Sequence, residues 1–180
     1  MFVGLDLSIR ATGCAVVDTQ DLSRSTVTTL APSSAARDGL RLSEINSLLS
    51  RALGGLQVVM AAIEGYSFGS KTGQFQLGEV GGIARLLLVE RGIDYIVVPP
   101  NVLKKWTTGN GTADKIAMAV STFDQWGLRF DDDNQCDAFN LAVLASCYSG
   151  DEIVKMTADR KKILADIRAN PLALPKKRTK

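Results

Sequence analysis

The 180 residues contain no histidine. That removes Ser-His and Cys-His nucleophile pairs, zinc sites built with imidazole, and nucleases that use histidine as general base. Cysteine is almost as scarce: Cys14, Cys136 and Cys147 show no CxxC spacing, and each lies in an apolar or helical context, as reduced structural thiols do. No stretch reaches the ~18 consecutive apolar residues that a membrane span requires, and the N-terminus lacks a basic region leading into a signal-like apolar core. A cytoplasmic protein without membrane contact is expected. Any hydrolytic chemistry has to run on carboxylates and hard metal ions.

A hydrophobic share of 46% and a charged share of 22% suit a globular protein, large enough to bury a core without staples. The net charge of +2 hides an asymmetry. Residues 155–180 hold nine Lys/Arg and two Asp/Glu, which leaves residues 1–154 with 12 and 17. The body is acidic and the tail basic, and such a tail is either a solvated end or a sequence-independent attraction to nucleic acid.

In MFVGLDLSIRATGCAVVD, Phe2, Val3 and Leu5 build an apolar strand near whose end stands Asp6. A carboxylate there calls for a partner, supplied by a metal ion, an exposed loop or a distant cation, because burying it unpaired is costly. A turn and a return strand, Cys14 to Val17, complete a hairpin, and Arg24 to Leu30 reads as a third antiparallel strand. Leucines and Ile45 then recur at helical spacing from Leu40 to Leu53. Leu56 to Ile63 is a continuous apolar run suited to a parallel strand, and it ends at Glu64. A Gly/Ser/Lys loop to Thr72 leads into a helix from about Phe75 to Arg91, where Gly78, Gly81 and Gly82 suggest close approach of another backbone or a ligand. Tyr95 to Val98 is a short strand and Asn101 to Trp106 one or two helical turns. Thr112 is expected to cap a helix to about Trp126. An apolar helix runs to Tyr148, and a last one from Glu152 to about Ala169.

This order predicts an α/β fold, a mixed five-stranded sheet flanked by helices. One domain over 1–150 is expected, followed by a C-terminal helix and a disordered basic tail over 151–180. Asp6 and Glu64 occupy equivalent places, each ending a strand, so adjacent strands would bring them together at one edge of the sheet. Asp133, Asn134 and Asp137, spaced i, i+1 and i+4, can add their oxygens from one face of a helix start. Carboxylates ~4 Å apart repel by roughly 4 kcal/mol at an effective dielectric of 20. Divalent cations remove that penalty, and two Mg²⁺ ions ~3.5–4 Å apart can hydrolyse a phosphodiester.

The blocks GLDLSIRATGCAVV, IEGYSFGSKTGQFQLGEVGGIARLLL, NVLKKWTTGNGTADK and DAFNLAVLASC, in this order and spacing, resemble the RuvC-type Holliday junction resolvases, particularly their phage-encoded branch. The resemblance runs from about Phe2 to Tyr148. It implies a ribonuclease H-like fold, a homodimer, Mg²⁺ or Mn²⁺, two ions per active site, and symmetric cutting of a four-way DNA junction. The family's metal-binding, catalytic carboxylates fall on Asp6, Glu64 and Asp137. A fourth acidic position, three residues before the last aspartate, is Asn134 here, so either its amide oxygen serves or Asp133 takes the role, with Asp132 a weaker substitute. The family's DNA-binding lysines correspond to Lys104 and Lys115, with Lys105 as an assistant. Tyr66 and Phe68 bracket the position of the family's junction-stacking aromatic, where Ser67 aligns, so that either is a candidate for that role, and Lys71 and Arg85 are further candidates for phosphate contact. Other readings are a non-catalytic binder of branched nucleic acid, a related nuclease acting on RNA, flaps or forks, and a phosphotransferase of the actin/sugar-kinase type. The last needs two domains and a second phosphate loop, for which the chain is too short.

Overall fold

The computed structural model describes residues 1–65 and 73–170. Along the chain lie β1 (Phe2–Asp6), β2 (Thr12–Val17), a 3-10 turn at Leu22–Arg24, β3 (Thr26–Leu30), α1 (Asp38–Ala52), β4 (Met60–Glu64), α2 (Gln74–Glu90), β5 (Tyr95–Val98), α3 (Pro100–Thr108), α4 (Lys115–Trp126), α5 (Asp133–Tyr148) and α6 (Ala158–Ala169). The strands form one mixed sheet in the order β3-β2-β1-β4-β5. The first three are antiparallel and β1-β4-β5 are parallel, as the sequence pattern requires. Tyr66, Phe68 and Lys71, three of the expected DNA contacts, lie outside the described residues, as do residues 171–180 of the tail.

Side chains alternate along a strand, and this decides what the site contains. Val3 and Leu5 of β1 join Ile63 and Val97 in a core under α1 and α2. Phe2 faces the other way and joins Ala15, Val17, Ala62 and Val98 in a second core under α3, α5 and α6. By the same alternation Gly4 and Asp6 share the face of Phe2, and Glu64 shares that of Ala62. Helix α5 is buried on nearly every side from Gln135 to Cys147, and it is the central element of this second layer.

The seating of α5 depends on glycine. A Cβ at Gly4 would stand 1.8 Å from the Ala138 carbonyl oxygen and 2.6 Å from the Ala142 nitrogen. One at Gly13 would stand 2.1 Å from the Asn134 carbonyl oxygen. Helix backbone therefore rests directly on strand backbone. Of the α2 glycines expected to permit close approach, Gly78 and Gly82 do not show it among the described residues, since a Cβ at either meets nothing within 4 Å, while Gly81 is buried.

Several boundaries differ from the sequence reading. The fourth strand starts at Met60 rather than Leu56, opposite Phe2, the first residue of its partner β1. Residues before Thr26 form the 3-10 turn, capped by the Asp21 carboxylate, instead of extending β3. Asp114, not Thr112, caps α4, accepting from the Ala117 N–H at 2.8 Å, while Thr112 bonds the Asn110 side chain. Helix α3 extends to Thr108, and α6 begins at Ala158 behind a Thr157 cap rather than at Glu152.

Replacing Gly4 by alanine sets a methyl group against backbone that cannot rotate away. Urea denaturation should show a loss of about 3 kcal/mol or more, at the upper end of overpacking effects. The same change at Gly82, where space is open, should cost less than about 1 kcal/mol and can be favourable through helix propensity.

Candidate active site

Each carboxylate reaches the site through an element placed by ordinary packing. Asp6 pairs with Gly13 across the hairpin, and the parallel register Leu5↔Ile63 puts Asp6 and Glu64 next to one another at the ends of β1 and β4. Their carboxyls lie close enough for each to shift the ionisation of the other. Asp137 stands one turn into α5, one residue before the Ala138 that rests on Gly4. Asp133 starts that helix and forms an ion pair with Lys115 at the start of α4. The four acidic residues expected from the sequence are thus neighbours in space.

The acidic run divides by role. Asp132 is the α5 N-cap: its carboxylate accepts from the Gln135 N–H at 2.8 Å and from the Thr29 hydroxyl at 2.5 Å, which fastens the helix start to β3. Asp131 is exposed. Asn134 lays its backbone against Gly13. A cavity of about 840 Å³ opens over the site, and Asp133 and Asp137 line it with Glu64, Lys104 and Lys115, whereas Asn134 does not. Lys105 points elsewhere, to Asp159 at 3.1 Å, and Arg85 lies half-buried on α2, outside the cavity lining.

Burial and mutual repulsion shape the ionisation. Asp6, only 7% exposed, has its carboxyl pushed up to about 9, first by loss of water and then by the charges of Glu64, Asp133 and Asp132. Burial raises Glu64 to about 7; the hydrogen bond from Asp6 and the Lys104 charge oppose that rise, and Asp137 adds to it. Asp137 is raised to about 7 by burial, Asp6 and Asp133, against the pull of Lys104 and Lys115. Asp133 moves the other way, held down by its hydrogen bond from Lys115. Among the described residues no three acidic or thiol side chains are gathered closely enough to hold an ion as they stand. In this arrangement Asp6 and Glu64 perturb one another and Asp133 is paired with Lys115. The chemistry of the donor set nonetheless suits a hard cation: oxygen only, buried, and short of positive charge.

Sequence reasoning missed the outer wall of the cavity, formed by Ile116, Val120, Phe123, Leu128 and Arg129. The spacing i, i+4, i+7 of the first three was visible, but such a stripe reads as core, and here it is exposed.

A family model described as Crossover junction endodeoxyribonuclease RuvC matches residues 2–145. The crossover junction endodeoxyribonuclease RuvC of Afipia carboxidovorans is 31% identical over 124 residues, covering 66% of this chain and 71% of its own length. That of Bradyrhizobium sp. strain ORS 278 is 32% identical over 122 residues, covering 66% and 69%. Among solved structures, Thermus thermophilus RuvC superposes with a TM-score of 0.68 at 19% identity, over 82% of this chain and 95% of that one. The same protein in complex with Holliday junction substrate gives 0.69 at 18%, over 83% and 95%. At such identities the likeness establishes the fold, which is the ribonuclease H-like one that the sequence led us to expect.

The raised carboxyls fix the sign of a stability effect. Between about pH 4 and pH 9 the folded chain retains protons that the unfolded chain has released, so stability is fully present below the unfolded values of 3.8 and 4.5 and declines as pH rises through about 7 and 9. In EDTA, Asp6→Asn should therefore stabilise the protein at pH 8, on the order of 1–3 kcal/mol, and change little at pH 4.5. Thermal melts at the two pH values check this.

Proposed function

The chain belongs to the RuvC family of crossover junction endodeoxyribonucleases, and on that premise we propose that it is a divalent-metal-dependent endonuclease that resolves four-way DNA junctions by phosphodiester hydrolysis. The observation that carries this reading is that Glu64, Asp137 and Asp133 line one end of a cavity together with Lys104 and Lys115, with the buried Asp6 beside Glu64 and within electrostatic reach of the others.

Asp6, Glu64 and Asp137 would hold Mg²⁺ or Mn²⁺, with two ions per site. Asp133 is the fourth ligand in this reading, because it lines the cavity with the other carboxylates and carries the charge that Asn134 lacks. When bound, the ions supply Lewis-acid stabilisation of charge on the reacting phosphate and make water more acidic. The protein's own part is to place and hold. Lys104 and Lys115 receive phosphate oxygens at the cavity rim, where unshielded carboxylates would repel the strand. The strand ends and the first turn of α5 hold the carboxylates without loop freedom, so little is lost to reorganisation as water attacks phosphorus and the bridging P–O bond breaks.

The homodimer implied by the resemblance belongs to the same proposal. Symmetric resolution needs two cuts, and a two-fold pair of chains brings two sites to one junction. Helix α2 offers the surface: Phe75, Leu86 and Val89 are exposed, and the space beside Gly82 is open.

Incubation with synthetic four-way, forked and linear duplex DNA, with Mg²⁺ or with EDTA, tests the reading. Cutting should require the metal and favour the four-way junction; preference for the fork, or for an RNA-containing substrate, moves the assignment to a related nuclease. Asp6→Asn and Glu64→Gln should abolish cutting and keep junction binding. Asp133→Asn should slow cutting by about a hundredfold or more, while Asn134→Ala should stay within about tenfold of the parent. Lys104→Ala with Lys115→Ala should weaken binding and lower the salt slope by about one to two.

A further inference from the structure

The cavity over the carboxylates is far larger than phosphodiester hydrolysis needs. At about 840 Å³ it lies within the size range of pockets that enclose a small-molecule ligand, and its outer half is apolar. That half is built on one face of α4, where Ile116 is 74% exposed, Val120 52% and Phe123 41%, with Leu128 beyond the helix end. The Arg129 guanidinium lies 4.8 Å from the centre of the Phe123 ring. Large apolar side chains exposed in a row on a soluble fold mark a binding surface more often than chance.

Two observations decide what belongs there. The apolar wall and the carboxylates share one continuous cavity, so whatever occupies the wall lies beside whatever occupies the acidic end. The wall is also bracketed by cations, Lys115 at its inner end and Arg129 at its outer end, about 10 Å of helix separating Ile116 from Phe123. A strand whose phosphate is held at Lys104 and Lys115 therefore presents its neighbouring sugar and base to Ile116, Val120 and Phe123.

Resting on the nuclease reading above, we propose that this wall is a seat for one unstacked base of the cleaved strand, next to the scissile phosphate, lying against Phe123 and Val120 with Arg129 at its outer edge. Every base has a π-face, so such a seat accepts bases broadly. Entry costs unstacking, and that cost is lowest where pairing is already interrupted, as at a branch point. The seat thereby links the rate of cutting to the branched structure of the DNA, apart from any contribution of the family's stacking aromatic.

Four-way junctions carrying 2-aminopurine at single positions within three nucleotides of the cut test the seat, with the full chain in EDTA so that binding is read without cutting. Fluorescence should change by about twofold or more at one position beside the cut phosphate and stay flat at the others. Phe123→Ala and Val120→Asp should each remove that change and slow cutting in Mg²⁺ by about tenfold at saturating DNA. Both positions are exposed, so melting temperatures should stay within about 3 °C of the parent. If the parent protein cuts junctions but no position responds, or both variants cut at the parental rate, the seat is overturned and the nuclease assignment stands. If the parent neither binds nor cuts a junction, the assignment falls and the seat with it. If Phe123→Ala converts a dimer to a monomer in sedimentation, a second copy covers the wall, and the seat is likewise overturned.

Discussion

The contact between α5 and the sheet governs this structure. At Gly4 and Gly13 no side chain separates helix from strand, and the helix lies closer to the sheet than any residue with a Cβ would permit. That distance brings Asp137 into electrostatic range of Asp6 and lets Asp133 add its charge to both. It also fixes rotation. Asn134, Ala138 and Ala142 face the glycines, at the i, i+4, i+8 spacing of one helix stripe, so Asp133 and Asp137, each one residue earlier, stand beside that stripe toward the cavity. A larger residue at either glycine would lift or turn the helix and separate the carboxylates while leaving the sheet paired.

Against this stable seating stands a cluster that opposes folding. Three carboxyls are held above their ordinary values by burial and by one another, and the counter-charges that act on them among the described residues, Lys104 and Lys115, are divided among four acids. Lys115 is committed chiefly to Asp133, which alone of the four is shifted downward. Conflict between local electrostatics and global packing is characteristic of sites kept for chemistry rather than stability. The apolar burial around α5, from Phe139 and Leu141 to Ile163 and Leu164, offsets the cost.

Much of this was legible in the sequence because it follows from short-range pattern. Strand alternation and the positions of Asp6 and Glu64 at strand ends sufficed to bring those two together, and the spacing of Asp133 and Asp137 sufficed for one helix face. What escaped is what depends on partners distant in the chain. The length of β4 is set by where β1 begins, which its own apolar run does not reveal. One miss is local instead: the choice of Asp114 over Thr112 as cap turns on Asn110, two residues before Thr112, whose side chain occupies the Thr112 N–H and hydroxyl. The glycines of α2 drew attention because glycine is unusual in a helix, whereas the two that seat α5 lie in strands, where a gap for a helix backbone leaves no local signature. The α4 stripe has the spacing of a core face, and only the tertiary structure shows that Ile116, Val120 and Phe123 are exposed among the described residues.

Residues 146–170 lie outside the family match, yet they are packed into the same body. Ile163, Leu164 and Ile167 of α6 are buried in the same core as Trp106 of α3. Arg160 donates to the Trp106 carbonyl at 3.1 Å and to the Gln125 side chain on α4, and its guanidinium stacks over the Trp106 ring. Lys105 is drawn to Asp159 on the same helix. The two helices that carry Lys104 and Lys115 are thus braced from behind by one arginine, and the lysines project from a fixed frame. For an acidic body that must hold a polyanion, fixing two cations at the cavity rim is worth more than adding mobile ones elsewhere, because pre-placed charge loses less entropy on contact with phosphate.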